Sequence, residues 1–341
     1  MTEGTQMRRL ATEWDFVLST LQAPGEEGEI AADAVGVTIL AGFLGAGKTT
    51  ALGHLLQGDH GLRLMAVVND LGAVNIDAAL VEQSTDDVIQ LTNGCGCCAL
   101  GGDLARAVTE LASARPPPDG VIVEASGIAD PGAMATAIAA GTGARLDGIV
   151  TIVDAQAAGA WLENPATRPL FRRQLDAAHI VVLNKTDLAG ENQQKALTAR
   201  LGELAPGRPV IPAALGRLDS RIVLGAALRG ARADPGSQPH EDDIFATRAI
   251  SLADAVKRKD LIAFLENPAP GLLRLKGFVQ LTSEGRSVLH VVQAVGRMWC
   301  IEPVSHGGLT EPPWRGLVLI GLAANVDDWG GDDIATSHFT Y

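Results

Sequence analysis

The sequence predicts an α/β protein with a mostly parallel sheet, followed by a smaller α+β domain. From residue 35 to about residue 222, short runs rich in Val and Ile alternate with Ala/Leu-rich stretches of helical pattern. Strands without polar alternation are typical of a sheet that helices cover on both faces. After a stretch rich in Gly, Pro and Asp, residues 230–243, the pattern changes character, which indicates a second domain.

The composition is that of a folded protein with a sizeable core. The chain has 341 residues, of which 47% are apolar and 20% charged. The net charge of −13 argues against nucleic acid or an anionic membrane as partner. No run of about 18 apolar residues occurs. Glu13 and Asp15 follow Arg8 and Arg9 too closely for a signal peptide, so we expect a cytoplasmic protein.

Seven apolar runs are the predicted strands of the first domain. They are Val37–Ala41, Leu64–Asn69, Val88–Leu91, Gly120–Glu124, Gly148–Asp154, His179–Asn184 and Pro209–Pro212. In the second domain we predict strands at Leu275–Leu281, Ser287–Ala294 and Gly316–Gly321, with a helix over Ala253–Leu265. The residues after Asp327 carry little pattern and are expected to fray.

The N-terminal segment carries one apolar face of a helix. Its apolar positions at helical spacing are Leu10, Trp14, Val17, Leu18 and Leu21. A linker-like stretch follows up to residue 34. Two interpretations stay open: a helix docked on its own domain, or a helix that binds a partner protein or a second subunit.

Residues 42–49 read Gly-Phe-Leu-Gly-Ala-Gly-Lys-Thr and match the phosphate-binding pattern G-x-x-x-x-G-K-[ST] in full. They lie between a predicted strand and the helical stretch Thr50–Gln57, as the pattern requires. Glycines let the backbone N–H groups converge on phosphate oxygens, and the helix adds its positive N-terminal end. Lys48 would reach the β- and γ-phosphates, and Thr49 would ligate Mg²⁺. The predicted nucleotide-binding residues here are Gly42, Gly45, Ala46, Gly47, Lys48, Thr49 and Thr50.

Asn184-Lys-Thr-Asp187 ends a later apolar run and is the pattern with which G-domains read guanine. The Asp187 carboxylate would accept hydrogen bonds from guanine N1–H and the 2-amino group, which adenine does not offer in that arrangement. Asn184 would hold the loop, and the stem of Lys185 would lie over the ring. We therefore predict GTP rather than ATP.

Glu124 ends the apolar run Val121-Ile-Val and is followed by Gly127. A carboxylate at that place suits an acid that holds Mg²⁺ or orients water, and Lys48 and Glu124 are the predicted catalytic residues. A solvent-exposed carboxylate at a strand end is the alternative. Asp154, which ends another run, is expected to be structural.

Three of the four cysteines, Cys95, Cys97 and Cys98, lie within four positions. Thiolates bind borderline and soft cations such as Zn²⁺, and three of them leave a tetrahedral shell incomplete, as a transfer site requires. A redox dithiol or inert loop cysteines are the alternatives. Asp70, after the strand Leu64–Asn69, lies at the same sheet edge and would offer an oxygen ligand to the Mg²⁺ or to the thiolate-bound metal.

Together these blocks resemble the CobW-type family of metal-chaperone GTPases, relatives of the urease and hydrogenase nickel-insertion GTPases. The matching stretches are residues 42–50, 69–72 with 76–77, 91–98, 124–131, 147–154, 184–188 and 273–278, with Gly321. The resemblance implies a G-domain that binds Zn²⁺, Co²⁺ or Ni²⁺ at the Cys95–Cys98 motif. It also implies that GTP binding favours the metal-loaded state and that hydrolysis to GDP releases the ion to a client protein.

The sequence departs from the family at several places. The usual Asn-Glu-Phe-Gly-Glu reads Asn69-Asp-Leu-Gly-Ala73, which removes one carboxylate and shortens another. Gly96 stands where a bulky apolar residue is common, and a histidine-rich tract near the linker is absent. The N-terminal extension, residues 1–34, is also not part of the usual family pattern.

The resulting division of the chain has five parts. They are an N-terminal helix and linker (1–34), a P-loop GTPase domain (35–229), a linker (230–243), a CobW-type C-terminal domain (244–330) and a tail (331–341). We expect a GTP-hydrolysing metallochaperone with GTP, Mg²⁺ and a client metalloprotein as partners. The alternatives are a nucleotide-switched binding module and a dedicated activator of one metalloenzyme, such as a nitrile hydratase, with little turnover. The sequence does not identify the client protein, and it does not decide whether the chain forms a homodimer.

Overall fold

The structure is a computed structural model that describes residues 34–58, 60–69, 88–91, 97–140, 142–224, 244–252, 255–283, 286–296, 298–304 and 315–329. Only the backbone is described at positions 69, 88, 90, 91, 97–101, 283, 286 and 298. The predicted N-terminal helix, the linker 230–243 and the tail 331–341 lie outside the described residues. No helix in the described ranges is both long enough and apolar enough to cross a membrane.

The first domain is built on a seven-stranded sheet in the order β3-β2-β4-β1-β5-β6-β7. Every neighbouring pair is parallel, so the predicted fold class is confirmed. The strands are β1 (Val35–Gly42), β2 (Leu64–Asn69), β3 (Val88–Leu91), β4 (Gly120–Glu124), β5 (Ala144–Asp154), β6 (Ile180–Asn184) and β7 (Val210–Pro212).

Helices cover both faces of this sheet because its strands are apolar on both sides. The helices are α1 (Lys48–Gln57), α2 (Cys97–Ala112), α3 (Pro131–Ala139), α4 (Ala158–Glu163), α5 (Arg168–Ala177), α6 (Glu191–Leu204) and α7 (Ser220–Val223). Alternate β1 residues enter opposite core clusters: Leu40 packs with α1, and Ile39 packs with α2 and α3. All eight β1 residues are buried.

The sequence located most of these strands, and β5 shows the main difference. Three predicted strands, Leu64–Asn69, Val88–Leu91 and Gly120–Glu124, have the observed bounds. Strand β5 begins at Ala144 rather than Gly148, and it pairs with β1 across a register shift at Val37/Thr38. Arg145 and Asp147 interrupt the apolar pattern there, which is why the sequence did not indicate this extension.

The second domain is a mainly antiparallel sheet in the order β12-β11-β10-β13-β8, with β9 parallel to β10. Its elements are β8 (Phe245–Ser251), β9 (Val256–Lys257), α8 (Arg258–Glu266), β10 (Leu272–Ser283), β11 (Arg286–Val295), β12 (Met298–Pro303) and β13 (Gly316–Leu322). The predicted α+β class is confirmed. Strands β8, β9 and β12 were not predicted.

Two predictions for the second domain were wrong in detail. The helix expected from Ala253 begins at Arg258, because Val256 and Lys257 pair with β10 instead. Order also extends past Asp327: a 3₁₀ helix, Ala323–Trp329, ends in a fully buried indole that donates to the Pro270 carbonyl at 3.0 Å. A single Trp in a polar segment gives no periodic signal, although burying it stabilises the segment.

Candidate nucleotide site

The predicted site residues meet at the carboxyl edge of the parallel sheet. The register pairs Leu40 of β1 with Glu124 at the end of β4, and Asp154 at the end of β5 with Asn184 at the end of β6. The phosphate-binding segment follows β1 between them. A ligand at this edge can therefore contact loops from four neighbouring strands, as is usual in open α/β sheets.

The segment between β1 and α1 folds into a tight loop around the Lys48 side chain. Gly45 and Gly47 have φ values of 74° and 100°, which only glycine adopts readily. The Lys48 ammonium donates to the carbonyls of Gly42 at 3.0 Å and Phe43 at 3.1 Å, and the residue is buried. The loop thus holds a cation at its centre, in front of the N-terminus of α1.

Asn184 joins this phosphate loop to the far side of the site. Its side-chain amide donates to the Ala46 carbonyl at 2.9 Å, and its side-chain oxygen accepts from the Gly216 N–H at 3.0 Å. Asn184 is 2% exposed. A Cβ on Gly47 would lie 2.5 Å from the Asn184 amide nitrogen, so the close approach of the two loops requires glycine there.

Lys185 and Asp187 follow Asn184 in a turn and a 3₁₀ helix, Thr186–Leu188. Lys185 has a φ of 61°, and its ammonium pairs with the Asp154 carboxylate at 2.7 Å. Asp154 also accepts from the N–H groups of Gln156 and Ala157. Asp154 therefore holds the turn, in agreement with its expected structural role, while the Asp187 side chain lies exposed at the mouth of the site.

The loop 213–216, which the sequence did not indicate, completes this side of the site. Thr186 donates to the Ala213 carbonyl through both its N–H at 3.1 Å and its hydroxyl at 2.8 Å. Leu215 and Gly216 have φ values of 54° and 70°. A Cβ on Gly216 would come within 3.2 Å of Thr50. The only sequence signal was a Gly shortly after the predicted strand that ends at Pro212.

Thr49 and Glu124 form the oxygen-rich corner of the site. The Thr49 hydroxyl donates to the Glu124 carboxylate at 2.7 Å, and Glu124 is 5% exposed. The solvent-exposed alternative for Glu124 is thus wrong. A hydroxyl and a carboxylate beside a phosphate loop are the hard oxygen donors that Mg²⁺ prefers, so these two residues fit that ion.

Gly127 brings the loop after β4 against the phosphate loop. A Cβ there would lie 2.8 Å from the Leu44 backbone nitrogen. The loops of this edge also carry four large apolar side chains that remain 54–61% exposed, namely Leu44, Ile128, Leu188 and Leu215. Apolar side chains exposed together around a polar site are typical of a surface that meets a ligand or a partner.

The predicted metal ligands are described only in part. Cys97 and Cys98 are the first residues of α2, with backbone alone described, and Cys95 and Asp70 lie outside the described residues. Among the side chains that the structure does describe, no group of three or more His, Cys, Asp or Glu residues is arranged to hold a metal ion. The metal site therefore stays a prediction.

A seven-stranded parallel sheet with G-x-x-x-x-G-K-[ST] between β1 and α1 defines a P-loop NTPase. The family model for the CobW/HypB/UreG nucleotide-binding domain matches residues 36–212, and the model for the cobalamin synthesis protein CobW C-terminal domain matches residues 245–329. The chain belongs to the CobW/HypB/UreG family, which confirms the resemblance found in the sequence.

Curated relatives extend this similarity over most of the chain. The zinc chaperone CobW of a Sinorhizobium species is 30% identical over 84% of this chain and 92% of its own length. The zinc chaperone YjiA of Escherichia coli is 29% identical over 84% of this chain and 94% of its own. A crystal structure of Zn(II)-bound YjiA GTPase from E. coli aligns with 90% of this chain and 98% of its own at 23% identity, with a TM-score of 0.42.

Proposed function

We propose that this protein is a GTPase that binds a transition metal ion, Zn²⁺ first among the candidates, at the motif Cys95–Cys98 and delivers it to a client metalloprotein. The observation that supports nucleotide binding is the buried Asn184 side chain, which links the phosphate loop at Ala46 to the loop at Gly216. Asn184 itself begins the segment 184–187 that would read the base, so this one side chain couples the position of the phosphates to that segment.

Guanine selection is attributed to Asp187. Its carboxylate lies exposed beside Lys185, whose position is set by Asp154 at 2.7 Å. A carboxylate that accepts two hydrogen bonds from guanine would be left unpaired by adenine, and that difference discriminates strongly between bases.

Hydrolysis would rely on positioning and charge. Lys48 would leave the carbonyls of Gly42 and Phe43 to bind phosphate oxygens. Thr49 and Glu124 would hold Mg²⁺, which supplies positive charge to the phosphates when bound. Glu124 also has the buried position required to orient a water molecule. Gly127, packed against Leu44, allows the backbone after β4 to approach the terminal phosphate.

The topology supports coupling between nucleotide and metal. Strand β3 ends at Leu91, level with Asn69 at the end of β2, and β2 pairs with β4, which ends in Glu124. Helix α2 begins at Cys97, so the cysteine motif follows β3 at the carboxyl edge that carries the phosphate loop. Two relatives are named zinc chaperones. Thiolate ligands suit Zn²⁺ and also admit Co²⁺ and Ni²⁺.

The proposal is tested by titrating Zn²⁺, Co²⁺ and Ni²⁺ into the full chain, with GDP and with a slowly hydrolysed GTP analogue. We expect the analogue to tighten binding of the cargo ion by about tenfold or more, a usual strength for coupled sites. Replacing both Cys97 and Cys98 by Ser should abolish tight binding, whereas Cys300→Ser in β12 should leave it unchanged. Equal affinity in both nucleotide states would refute the coupling.

GTP turnover separates this function from a nucleotide-switched binding module. A chaperone that releases its ion on hydrolysis should turn over above about 1 per minute once metal or client is present, faster than slow intrinsic G-protein hydrolysis. Tight GTP binding with negligible turnover under those conditions would favour the binding module.

A further inference from the structure

A groove of about 660 Å³ lies on the outer face of the first domain, between helices α4 and α5 on one side and α6 on the other. Its α6 wall consists of Gln193, Ala196, Leu197, Arg200 and Leu204, which together follow one face of that helix along most of its length. Such i, i+3, i+4 and i+7 spacing is the pattern of a helix face against which a further helix packs.

The groove has an apolar floor and a basic rim. Leu197 is buried, and Leu162 of α4 and Leu204 are half-buried. Arg168, Arg172 and Arg200 line the rim, and Glu163 is the only acidic lining residue among those that the structure describes. Arg200 also pairs with Glu203 at 2.8 Å, so Arg168 and Arg172 are the rim arginines free of such an ion pair within 4.0 Å in the described residues. Local positive charge is unusual on a chain whose net charge is −13. The groove therefore suits an acidic segment with one apolar face.

We propose that the groove is the docking site of this chain's own N-terminal segment, residues 10–21, bound as an amphipathic helix. The segment presents its apolar side at helical spacing through Leu10, Trp14, Val17, Leu18 and Leu21. Of the two interpretations that the sequence left open, the groove supports docking on the segment's own domain.

Charge complementarity supports this occupant. Residues 1–33 carry seven acidic side chains and two arginines, which gives a net charge of −5. Glu13 and Asp15 flank Trp14 within the segment itself, so an apolar face seated on Leu197 brings carboxylates to the arginine rim. A twelve-residue helix is about 18 Å long and α6, with 14 residues, about 21 Å, so the two lengths match.

The point at which the chain enters the domain also supports docking in cis. Helix α5 packs against β1, and Val35 and Ala177, the last residue of α5, belong to the same core cluster. Arg172 lies five residues before Ala177, about 7.5 Å along the helix axis. The twelve residues 22–33 span up to about 40 Å when extended, well above these roughly 7.5 Å of helix.

Hydrogen exchange of the full chain tests the proposal. We expect the backbone amides of residues 12–21 to exchange at least about tenfold slower than in an unstructured peptide, because exchange then requires undocking. Ala196→Trp fills the groove, and Arg172→Glu with Arg200→Glu reverses its rim. In each of these two groove variants, the amides of residues 12–21 should exchange at nearly the rate of an unstructured peptide, while the amides of β1 and β5 stay protected.

Two matched controls are available on the same helices. Thr198 of α6 and Arg173 of α5 are exposed and do not line the groove, so Thr198→Trp and Arg173→Glu should leave the protection unchanged. Absence of protection in the unmodified chain would overturn the proposal. Protection that survives both groove variants would place the segment elsewhere, and protection that rises with protein concentration would assign it to a second copy.

Discussion

The guanidinium of Arg274, from the second domain, lies 3.0 Å from the carboxylate of Asp147, from the first. The two side chains are 1% and 4% exposed, so this ion pair is buried between the domains. Arg274 also donates to the carbonyls of Asp147 at 3.2 Å and Val223 at 3.1 Å. Burial alone raises the pKa of Asp147, but the charges of Arg274, Lys276 and Arg145 outweigh it and hold the pKa well below its usual value.

Arg274→Met should destabilise the protein by about 3–5 kcal/mol, because it leaves the Asp147 charge buried without its main partner. Denaturant unfolding measures this loss. Asp147→Asn in the same chain should recover part of it, since it removes the stranded charge. Arg173→Met, on an exposed face of α5, is the matched control and should change stability little. A loss below about 1 kcal/mol for Arg274→Met would contradict a structural role for the pair.

His179 should make stability fall as the pH drops from about 6.5 toward 3. Its Nδ1 accepts the Ile149 N–H at 3.0 Å, and burial with the charges of Arg274 and Arg208 lowers the pKa of His179 to about 3. The unfolded chain therefore binds a proton in this range that the folded chain does not, at a cost of up to about 1.4 kcal/mol per pH unit.

His179→Gln removes the titrating group, so its free energy of unfolding should depend less steeply on pH between 6.5 and 4.5. Thr198→Ala, at an exposed position of α6 that does not titrate, should keep the original slope. Below about pH 3.8 the depressed pKa of Asp147 adds a second loss in the same direction, which both variants retain. Identical slopes for all three proteins in the upper window would rule out His179 as the cause.

Asn184→Ala should weaken GDP and GTP binding by about a hundredfold, because Ala46 and Gly216 lose their shared partner and a buried hydrogen-bonded group costs about 1–3 kcal/mol to remove. Binding of a fluorescent guanine nucleotide measures this effect. Asn192→Ala, exposed at the start of α6, should bind as the unmodified protein does. Affinity within about twofold would mean that Asn184 does not join the two loops in solution.

Gly47→Ala should abolish nucleotide binding because it forces the backbone of the phosphate loop out of its conformation, not because a side-chain contact is lost. Gly47 has a φ of 100°, and the added Cβ would lie 2.5 Å from the Asn184 amide nitrogen. Gly53→Ala is the matched control: it lies inside α1 with open space around its Cβ, so it should stabilise the helix by about 0.5–1 kcal/mol and leave binding intact. Normal affinity of Gly47→Ala would show that the loop has another conformation when occupied.

Glu124→Gln should separate hydrolysis from binding. The amide keeps the size of the side chain and a hydrogen bond with Thr49 but removes the negative charge that would hold Mg²⁺ or orient water. We expect GTP affinity to change less than tenfold and single-turnover hydrolysis to slow by about a hundredfold or more. Unchanged hydrolysis would remove Glu124 from the catalytic residues.

The sequence by itself predicted the parallel sheet, the phosphate loop and the residues at the ends of β4 and β6. These features are local, because each depends on residues that are consecutive in the sequence. A run of apolar residues predicts a strand covered on both faces, and the Gly-rich turn or single polar residue after it predicts the site at the strand's end. For that reason strand β4 was predicted with its observed bounds. The family was likewise predicted from motifs that occur in a fixed order along the chain.

Tertiary structure alone decided which of these residues meet. Asn184 bonds to Ala46 across 138 positions of the chain, and Arg274 reaches Asp147 across 127. No local pattern marks either pair, because a buried polar group is stable only with a partner that folding brings to it. Trp329 and the loop at Gly216 illustrate the same limit: each is positioned by groups far away in the sequence, Pro270 for one and Asn184 for the other.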